Sequence, residues 1–434
     1  MVLSGPRPLR RLVAAYPVLR HRDFALLWSG GAVSAAGDWL LALALPYHVY
    51  ARTGSTLASA ALFIVNMAPG VLFGSVAGVF ADRWDRRRTM LTADLVRAAV
   101  VLLMLPVAAS DAWLWLAYPL VFAESTTSRF FRPAKGALVP RLVPEDELLS
   151  ANALDGIADS VIRLLAPALG GFVLARAGLG PVLLADAGSY LFSGLMIALV
   201  RAPPTPIRPG AAAAAVSRWR AFWADWLAGL RLIAADRYLR NVFLVNAVAN
   251  VGSGVFGPLH APFVQDLLRA GPEVLGWTVT ATGVGTLATG LVLARTPRPP
   301  SPARLAAAGQ VVLGLALLAS FHAGDVVAVV ALGVPAGVGL ASMVGFGTAI
   351  QASVAEDARG RVLGAFWTTF ALATLLGQLL ASTLPAGIGL LPTLDLAGGL
   401  HVAAGALGLV LLPATTPPPR RREGVSPAAA SMSS

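Results

Sequence analysis

The sequence has no cysteine and few charged residues. Without a thiol, the 434-residue chain can form no disulfide, no thiolate metal site and no cysteine nucleophile. Charged residues make up 13% of the chain, about half of the roughly 25% that is usual in a soluble domain, whereas hydrophobic residues make up 56%. A protein of this composition would expose large apolar patches to water, so we expect it to lie in a lipid bilayer.

The motifs that mark an enzyme or a cofactor site are also missing. The five histidines are scattered and form no metal-ligand pattern, and no phosphate-binding loop for ATP is found. Residues 252–257 match G-x-G-x-x-G, but they lie in an apolar stretch with no strand before it, which excludes a dinucleotide site. We therefore predict no cofactor, no metal and no enzymatic activity.

Twelve apolar segments follow one another along the chain, each long enough to cross the hydrocarbon core of a bilayer. The first starts near Phe24, is too long for a signal peptide and has no small-residue cleavage site. We predict an all-α membrane protein with twelve transmembrane helices. The predicted spans are 24–50, 57–80, 89–108, 112–131, 152–175, 181–200, 240–265, 274–294, 304–321, 326–347, 361–384 and 389–412.

The basic residues indicate the orientation of these spans. Of the 33 lysines and arginines, 28 lie in the terminal segments and in alternate loops, and only Arg52, Arg176 and Arg269 lie in the opposite loops. Because loops rich in Lys and Arg stay on the cytoplasmic side, we predict an inner (plasma) membrane protein with both termini in the cytoplasm. The net charge of +11 then reflects topology, and we predict no nucleic-acid partner.

Features of the first half recur 211 to 213 positions later. The pairs are Gly78/Gly290, Arg83/Arg295, Arg86/Arg298, Glu145/Glu356 and Asp23/Asp236. This offset predicts two pseudo-symmetric six-helix bundles, 24–200 and 239–413, arranged as parallel repeats. We expect a cytoplasmic segment over 1–23, a linker over 201–238 and a disordered tail over 414–434.

The linker contains apolar residues at helical spacing. Trp219, Trp223, Trp226 and Leu230 predict an amphipathic helix that lies in the cytoplasmic membrane interface. The alternative is that this helix packs against the bundle without contacting lipid.

Residues 78–88, with the sequence G-V-F-A-D-R-W-D-R-R-R, resemble the signature loop of the major facilitator superfamily, G-x-x-x-D-R-x-G-R-R. Asp85 stands where the second glycine is usual. Residues 37–39, 131–140 and 185–191 are similar to the branch that holds siderophore exporters and macrolide-efflux proteins. The resemblance covers residues 20–412 and implies the major facilitator fold.

This resemblance also implies roles for particular residues. In the family, the acid of the signature loop lies against the start of the eleventh helix and latches the halves together, which implies that Asp82 faces Gly360 and Arg361. Residues 166–171 resemble the G-P-x-x-G-G antiporter motif, which accompanies export in the family. The gating residues implied by the signature loop are Gly78, Asp82, Arg83, Arg86 and Arg87.

Two acids lie deep in the predicted spans. Asp38 is about 15 residues into the first span, roughly 22 Å along its axis, and Glu124 is about 11 residues into the fourth. An ionised carboxyl at such depth is costly, so each can exchange a proton near neutral pH. We predict that Asp38 and Glu124 couple transport to protons; the alternative is simple pairing with a nearby arginine.

Other polar and aromatic residues within the spans are candidates for structural or substrate contacts. Asp155, Asp159 and Arg163 follow one another at i,i+4 spacing, which favours an intramembrane charge pair, although Arg163 could contact an acidic substrate. Asp186 lies near the outer surface and is assigned a structural role. The candidates for the substrate cavity are Trp39, Asn66, Arg97, Asn246, Asn250, Phe346, Trp367 and Gln378. The alternatives are that the amides join helices, that the aromatic residues pack in the core and that Arg97 pairs with Asp94.

The sequence thus predicts a monomeric secondary transporter. We expect it to export small amphipathic molecules, such as drugs or siderophores, in exchange for protons. Two alternatives stay open: a transporter of the same fold that moves lipids or imports its substrate, and a membrane receptor that does not transport. An enzyme is least favoured, because no nucleophile–base pair stands out.

Overall fold

The computed structural model describes residues 16–81, 84–201, 226–296, 301–340 and 342–415. Within these residues the chain forms helices joined by short turns, and no strand is present. The membrane-crossing segments, in chain order, are α1 Arg22–Thr53, α2 Thr56–Ala81, α3 Arg86–Leu102 with Leu105–Ala109, α4 Ala117–Leu138, α5 Leu148–Ala177, α6 Leu179–Leu199, α7 Arg237–Pro262, α8 Pro272–Arg295, α9 Pro302–His322, α10 Val326–Leu340 with Ser342–Ser353, α11 Glu356–Ile388 and α12 Leu390–Leu411.

Ten of these twelve segments are long and apolar enough to cross a membrane, judged over their described residues. The other two are α2, whose apolar part with described side chains is Thr56–Leu72, and α4, which carries Glu124 and three basic residues. Helices are the expected solution, because a backbone in lipid must satisfy its own hydrogen bonds. The predicted twelve-helix fold is confirmed.

Odd-numbered helices begin, and even-numbered helices end, at the same face of the bundle. The Arg22 guanidinium donates to the Leu199 carbonyl at 3.2 Å, which joins the start of α1 to the end of α6. The Asn241 amide donates to the Leu411 carbonyl at 3.2 Å, which joins the start of α7 to the end of α12. We call this side the terminal face and the opposite side the far face.

The two halves repeat the same packing. In the first half, α1 packs on α5 and α6, α2 packs on α4, and α3 packs on α4 and α6. The second half repeats each of these pairs six helices later. Gly178 and Gly389, 211 positions apart, turn the chain between α5 and α6 and between α11 and α12 with φ of 76° and 91°, in the left-handed region that favours glycine. The pseudo-symmetry predicted from the sequence is therefore present in the fold.

The described part of the signature loop binds helix ends within the first half. The Asp85 carboxylate caps α3 by accepting from the Arg88 amide at 2.8 Å, which explains an acid at this position. Arg86 and Arg87 donate to the Ala137 and Ile197 carbonyls, each at 3.0 Å, near the negative ends of α4 and α6. Asp82 and Arg83 lie outside the described residues, as does the side-chain environment of Gly78, so the latch stays a prediction.

The linker helix is described over Trp226–Ala235. Trp226 and Leu230 pack on the hydrophobic core of the second half, and a Cβ at Gly229 would lie 2.7 Å from the Arg361 carbonyl oxygen. Leu227 is exposed. The described part of this helix thus contacts the start of α11, while Trp219 and Trp223 lie outside the described residues.

At the far face, hydrogen bonds join the two halves. The Tyr47 hydroxyl donates to the Ala270 carbonyl at 3.3 Å, and the Tyr47 carbonyl accepts from the Gln265 amide at 3.1 Å. Ser59 donates to the Pro258 carbonyl at 3.2 Å, and Tyr50 donates to the Asp266 carboxylate. These contacts seal the bundle at the far face.

Close packing of α5 on α8 supports this seal. A Cβ built on Gly171, in the antiporter-like stretch, would overlap the carbonyl oxygen of Pro272, and one on Gly276 would overlap that of Pro167. The neighbouring Gly170 faces α1 instead, 3.2 Å from the Leu40 Cα. Both glycines of the 166–171 stretch are therefore needed for close approach, one to each neighbouring helix.

We predict that Gly171→Val destabilises the protein. The added side chain must push α8 away at Pro272, and overpacking of this kind costs about 1–3 kcal/mol. Gly156→Val, on the same helix, is the matched control, because a Cβ there has nothing within 4 Å. Thermal unfolding in detergent should show a lower midpoint for Gly171→Val only; equal midpoints for the two variants would contradict this packing.

Candidate functional site

A cavity of about 350 Å³ lies inside the first half, between α1, α2, α3, α4 and α6. This volume lies in the range of roughly 300–1,000 Å³ that is usual for small-molecule sites. Much of its wall is apolar, including Leu41, Leu62 and Phe63. Its polar lining is formed by Asp38, Asn66, Glu124, Ser125, Ser128, Arg129, Arg132, Asp186 and Tyr190. We call it the acid cavity.

Asp38 and Glu124 meet through the hydroxyl of Tyr190. The Tyr190 oxygen lies 2.5 Å from Asp38 Oδ1 and 3.1 Å from Glu124 Oε1. A phenol has a single hydrogen, so it can donate to only one of the two carboxylates. The second contact becomes a hydrogen bond when the other carboxyl is protonated and donates to the phenol oxygen. The geometry therefore suits one proton held between the two acids.

A buried arginine lies behind this group. Arg97 is 3% exposed and donates to the Asp94 carboxylate, which is fully buried, at 2.5 Å. Its guanidinium also lies 3.9 Å from Asp38 Oδ2 and 4.2 Å from the centre of the Tyr190 ring. By contrast, the Asp38 side chain is 42% exposed, although the acid lies deep within the bundle. We attribute this exposure to the cavity, so a solute in the cavity can reach Asp38.

Asp186 joins this cluster, which the sequence did not lead us to expect. It lines the acid cavity and is fully buried, and its Oδ2 has no hydrogen-bond partner among the described residues. Burial of a carboxyl oxygen without a hydrogen-bond partner costs free energy, so Asp186 is a candidate for a functional role. The signal that was available is the i,i+4 spacing of Asp186 and Tyr190, which places both on one face of α6.

The charged residues of α5 have other partners than those predicted. Asp155 pairs with Lys135 on α4 at 3.0 Å, and the Arg163 guanidinium lies 5.2 Å from the centre of the Trp39 ring on α1. Within the described residues, no ion pair joins Asp159 to Arg163. The i,i+4 spacing thus identified a shared helix face, but partners on neighbouring helices lie within reach and replace the intrahelical pair.

The structure brings some of the predicted cavity residues to the site. Asn66 lines the acid cavity, and its carbonyl accepts from the Ser125 hydroxyl at 2.6 Å. Trp39 lines a separate cavity of about 260 Å³ between the halves. Arg97 contacts the acids of the cluster, as described above.

Other predicted cavity residues lie within the second half. The Asn250 amide donates to the Asn246 carbonyl at 2.7 Å, so these two residues bond to each other on α7. Phe346 is fully buried in the core of the second half, and Gln378 is buried on α11. Trp367 is 60% exposed and packs edge-on against Phe366 and Phe370. None of them lines the acid cavity.

Comparison with known families decides what kind of protein carries this site. The model of a family described as transmembrane secretion effector matches residues 13–418, nearly the whole chain. The chain belongs to this family. Transmembrane secretion effectors are transporters of the major facilitator type, so the predicted superfamily is confirmed and the protein is not an enzyme.

Relatives of this transmembrane secretion effector include efflux proteins. The MFS-type transporter YfiS of Bacillus subtilis is 28% identical over 91% of this chain and 94% of its own length. The multidrug efflux pump Tap of Mycolicibacterium fortuitum is 25% identical over 90% of this chain and 92% of its own. Macrolide efflux protein A of Streptococcus pyogenes is 28% identical, but over 42% of this chain and 45% of its own.

Solved structures agree with the fold. A bacterial homologue of the iron transporter ferroportin, solved in an inward-facing state, superposes with a TM-score of 0.71 at 16% identity, over 90% of this chain and 98% of that one. The nucleoside transporter NupG gives a TM-score of 0.70 at 11% identity, over 90% and 100%. At these identities the likeness shows the shared fold alone.

We predict that Arg97→Met strongly destabilises this transmembrane secretion effector. The substitution leaves Asp94 buried without its partner, and breaking a buried pair from one side costs about 3–5 kcal/mol. Arg52→Met is the control, because Arg52 and Asp111 form an exposed pair, and such pairs contribute little. Thermal unfolding in detergent checks both; equal small shifts would mean that Arg97 is not needed to neutralise Asp94.

Proposed function

We propose that this membrane transporter is a monomeric proton-coupled exporter of small amphipathic molecules, which works by alternating access. The observation that carries the proposal is the Tyr190 hydroxyl shared by Asp38 and Glu124 in the acid cavity. The multidrug and macrolide efflux relatives support export of drug-like molecules.

The orientation follows from the basic residues. With 28 of the 33 lysines and arginines in the terminal segments and alternate loops, the terminal face is cytoplasmic. The far face, sealed through Tyr47, Tyr50 and Ser59, is then external. On α4 the lining of the acid cavity runs from Val121 to Arg132, about 16 Å toward the terminal face. This extent, together with the contacts between the halves at the far face, supports an inward-facing state, which we propose for the chain.

Coupling needs competition between a proton and the substrate for the acid cavity. When the cavity faces the cytoplasm, a substrate that binds the ionised acids displaces the proton held by Asp38, Tyr190 and Glu124. The Arg97 guanidinium lies 3.9 Å from Asp38 Oδ2, so its positive charge attracts the Asp38 carboxyl group. When the cavity faces the outside, a proton from the more acidic medium returns to the carboxyl and displaces the substrate.

The lining of the acid cavity favours amphipathic substrates. Leu41, Leu62 and Phe63 form an apolar wall beside the carboxyls. A molecule with a hydrophobic body and a cationic or hydrogen-bonding group can contact both parts. Arg129 and Arg132 line the same cavity and can balance the acids when no substrate is bound.

We predict that Asp38→Asn and Glu124→Gln abolish substrate-driven proton movement. In proteoliposomes with an internal pH dye, addition of the cationic dye ethidium should release protons through the wild-type protein and not through these variants. Tyr190→Phe should slow the flux about tenfold or more, since a hydrogen bond to a charged group contributes roughly 1.5–3 kcal/mol.

Asp111→Asn is the control for this experiment, because it also neutralises a carboxylate, but one in an exposed pair at the far face. It should leave proton movement unchanged. Wild-type coupling in both Asp38→Asn and Glu124→Gln would remove these acids from the mechanism, and dye flux without any proton movement would favour a facilitator or lipid transporter.

We predict that the acid cavity is reached from the cytoplasmic side. Because the chain has no cysteine, a single introduced cysteine is the only thiol. Ser128→Cys, in the cavity lining, should react with a membrane-impermeant maleimide in inside-out vesicles, and Ser110→Cys, at the exposed far-face turn, in intact cells. The reverse pattern would overturn the orientation, and labelling of Ser128→Cys from outside alone would overturn the inward-facing state.

A further inference from the structure

The second half contains a cavity of its own. It has a volume of about 230 Å³ and lies between α7, α8, α9, α10 and α12. In the first half, the acid cavity lies between α1, α2, α3, α4 and α6, the helices that precede these by six. The two cavities therefore occupy equivalent places in the repeat.

Individual lining residues also correspond. Five residues of the acid cavity are followed, 211 or 212 positions later, by residues that line the second cavity. The pairs are Leu41/Ser253, Asn66/Thr278, Val121/Gly333, Glu124/Ala336 and Tyr190/His401. The second cavity is thus the counterpart of the acid cavity, with an alanine in place of Glu124 and an imidazole in place of the Tyr190 phenol.

The hydrogen bonds of His401 assign its tautomer. Its Nδ1 lies 2.7 Å from Gln310 Oε1, an acceptor, so Nδ1 carries the hydrogen. Its Nε2 is then an acceptor, which Ser253 Oγ meets at 3.4 Å. His401 is fully buried and its ring is held by both neighbours, so it forms a fixed wall of the cavity.

His260 is the more available imidazole. The Thr278 hydroxyl donates its single hydrogen to the Leu275 carbonyl at 2.9 Å. Because it has no second hydrogen, it accepts a hydrogen bond from His260 Nε2 at 3.0 Å. This leaves Nδ1 of His260 without a hydrogen and able to accept one. Other hydroxyls of the lining behave alike: Thr282 and Ser320 donate to carbonyls of their own helices and keep only acceptor capacity.

The walls of this cavity are aromatic and carry no charge. Phe256, Phe263 and Phe321 pack around it, and no Asp, Glu, Lys or Arg is present among its described lining residues. A charged ligand would find no counter-ion there, whereas an aromatic ring finds edges and faces to pack on. The polar groups that remain available accept hydrogen bonds, so the matching ligand group is a donor.

We propose that the second cavity binds an uncharged aromatic group that carries an O–H or N–H donor, with His260 Nδ1 as the acceptor. A volume of 230 Å³ is smaller than the roughly 300–1,000 Å³ of a drug-sized site, so the cavity holds one part of a molecule. His260 and Val279 also line the cavity between the halves, which shares Phe63 with the acid cavity. An aromatic group held here thus lies next to the route between the halves.

The proposal rests on the proposed function only in taking the ligand to be part of a transported molecule, and binding can be tested without transport. The probes are 2-naphthol, which has a donor, and 2-methoxynaphthalene, which lacks one. Equilibrium dialysis against the full-length protein in detergent should show about three- to tenfold tighter binding of 2-naphthol, the effect of one neutral hydrogen bond.

Three variants locate the site. His260→Leu should remove the preference for 2-naphthol, and His260→Gln, which keeps an acceptor, should restore part of it. Ala336→Leu places a larger side chain in the cavity and replaces no polar group, so it should weaken the binding of both probes. Thermal unfolding identifies any variant that fails to fold. In that case, the binding of the probes to the other two variants tests the location of the site.

Asp38→Asn separates this proposal from the proposed function, because it should abolish proton coupling and leave the binding of both probes unchanged. A preference for 2-naphthol that survives both His260→Leu and Ala336→Leu would overturn the second site. Loss of the preference in Asp38→Asn would place the probe in the acid cavity and would also overturn it. Equal binding of the two probes by the wild-type protein would show that the site does not recognise the O–H donor, and would overturn the proposal.

Discussion

The cost of leaving a charge in lipid determines the arrangement of this protein. Most of its basic residues lie outside the spans or near their ends, and three acids deep in the first half, Asp38, Glu124 and Asp186, line one cavity. Asp94 and Arg97 pair with each other, Asp38 and Glu124 share the Tyr190 hydroxyl, and Asp186 lines the same cavity as these two acids. Because each isolated charge would cost several kcal/mol at that depth, the cluster holds together only as a network.

The same cost explains how much the sequence could predict. Spans, orientation and the two repeats follow from where apolar and basic residues lie. The repeat extends to single residues, because Gly178 and Gly389 form equivalent turns in the two halves. Asp38 and Glu124 could be chosen by depth alone. Tyr190 and the role of Asp186 could not, since depth and periodicity place a residue on its own helix but do not identify its neighbours. For the same reason, the sequence did not predict that Asp155 pairs with Lys135 on a neighbouring helix, or that Phe346 lies in the packed core of the second half.

Repetition of the fold did not preserve the chemistry. The repeat places cavities at equivalent points of the two halves, yet one is lined by carboxyls and the other by imidazoles and phenyl rings. A pair of charged cavities would require two buried networks, each with its own desolvation cost. Because no charged residue is present among the described lining of the second cavity, this cavity suits apolar groups. This division suits amphipathic molecules, whose two ends need different surroundings.

The location of the three acids of the acid cavity in one half also limits how transport can be coupled. Asp38, Glu124 and Tyr190 belong to α1, α4 and α6, which pack within the same six-helix unit. If the halves rock as rigid bodies, the distances among these three side chains stay constant between the inward-facing and outward-facing states. Their proton affinity then changes through access to solvent and through substrate occupancy. In the proposed mechanism, the contacts of Tyr47, Tyr50 and Ser59 at the far face do not act on the acids themselves; they determine the solution with which the acids exchange protons.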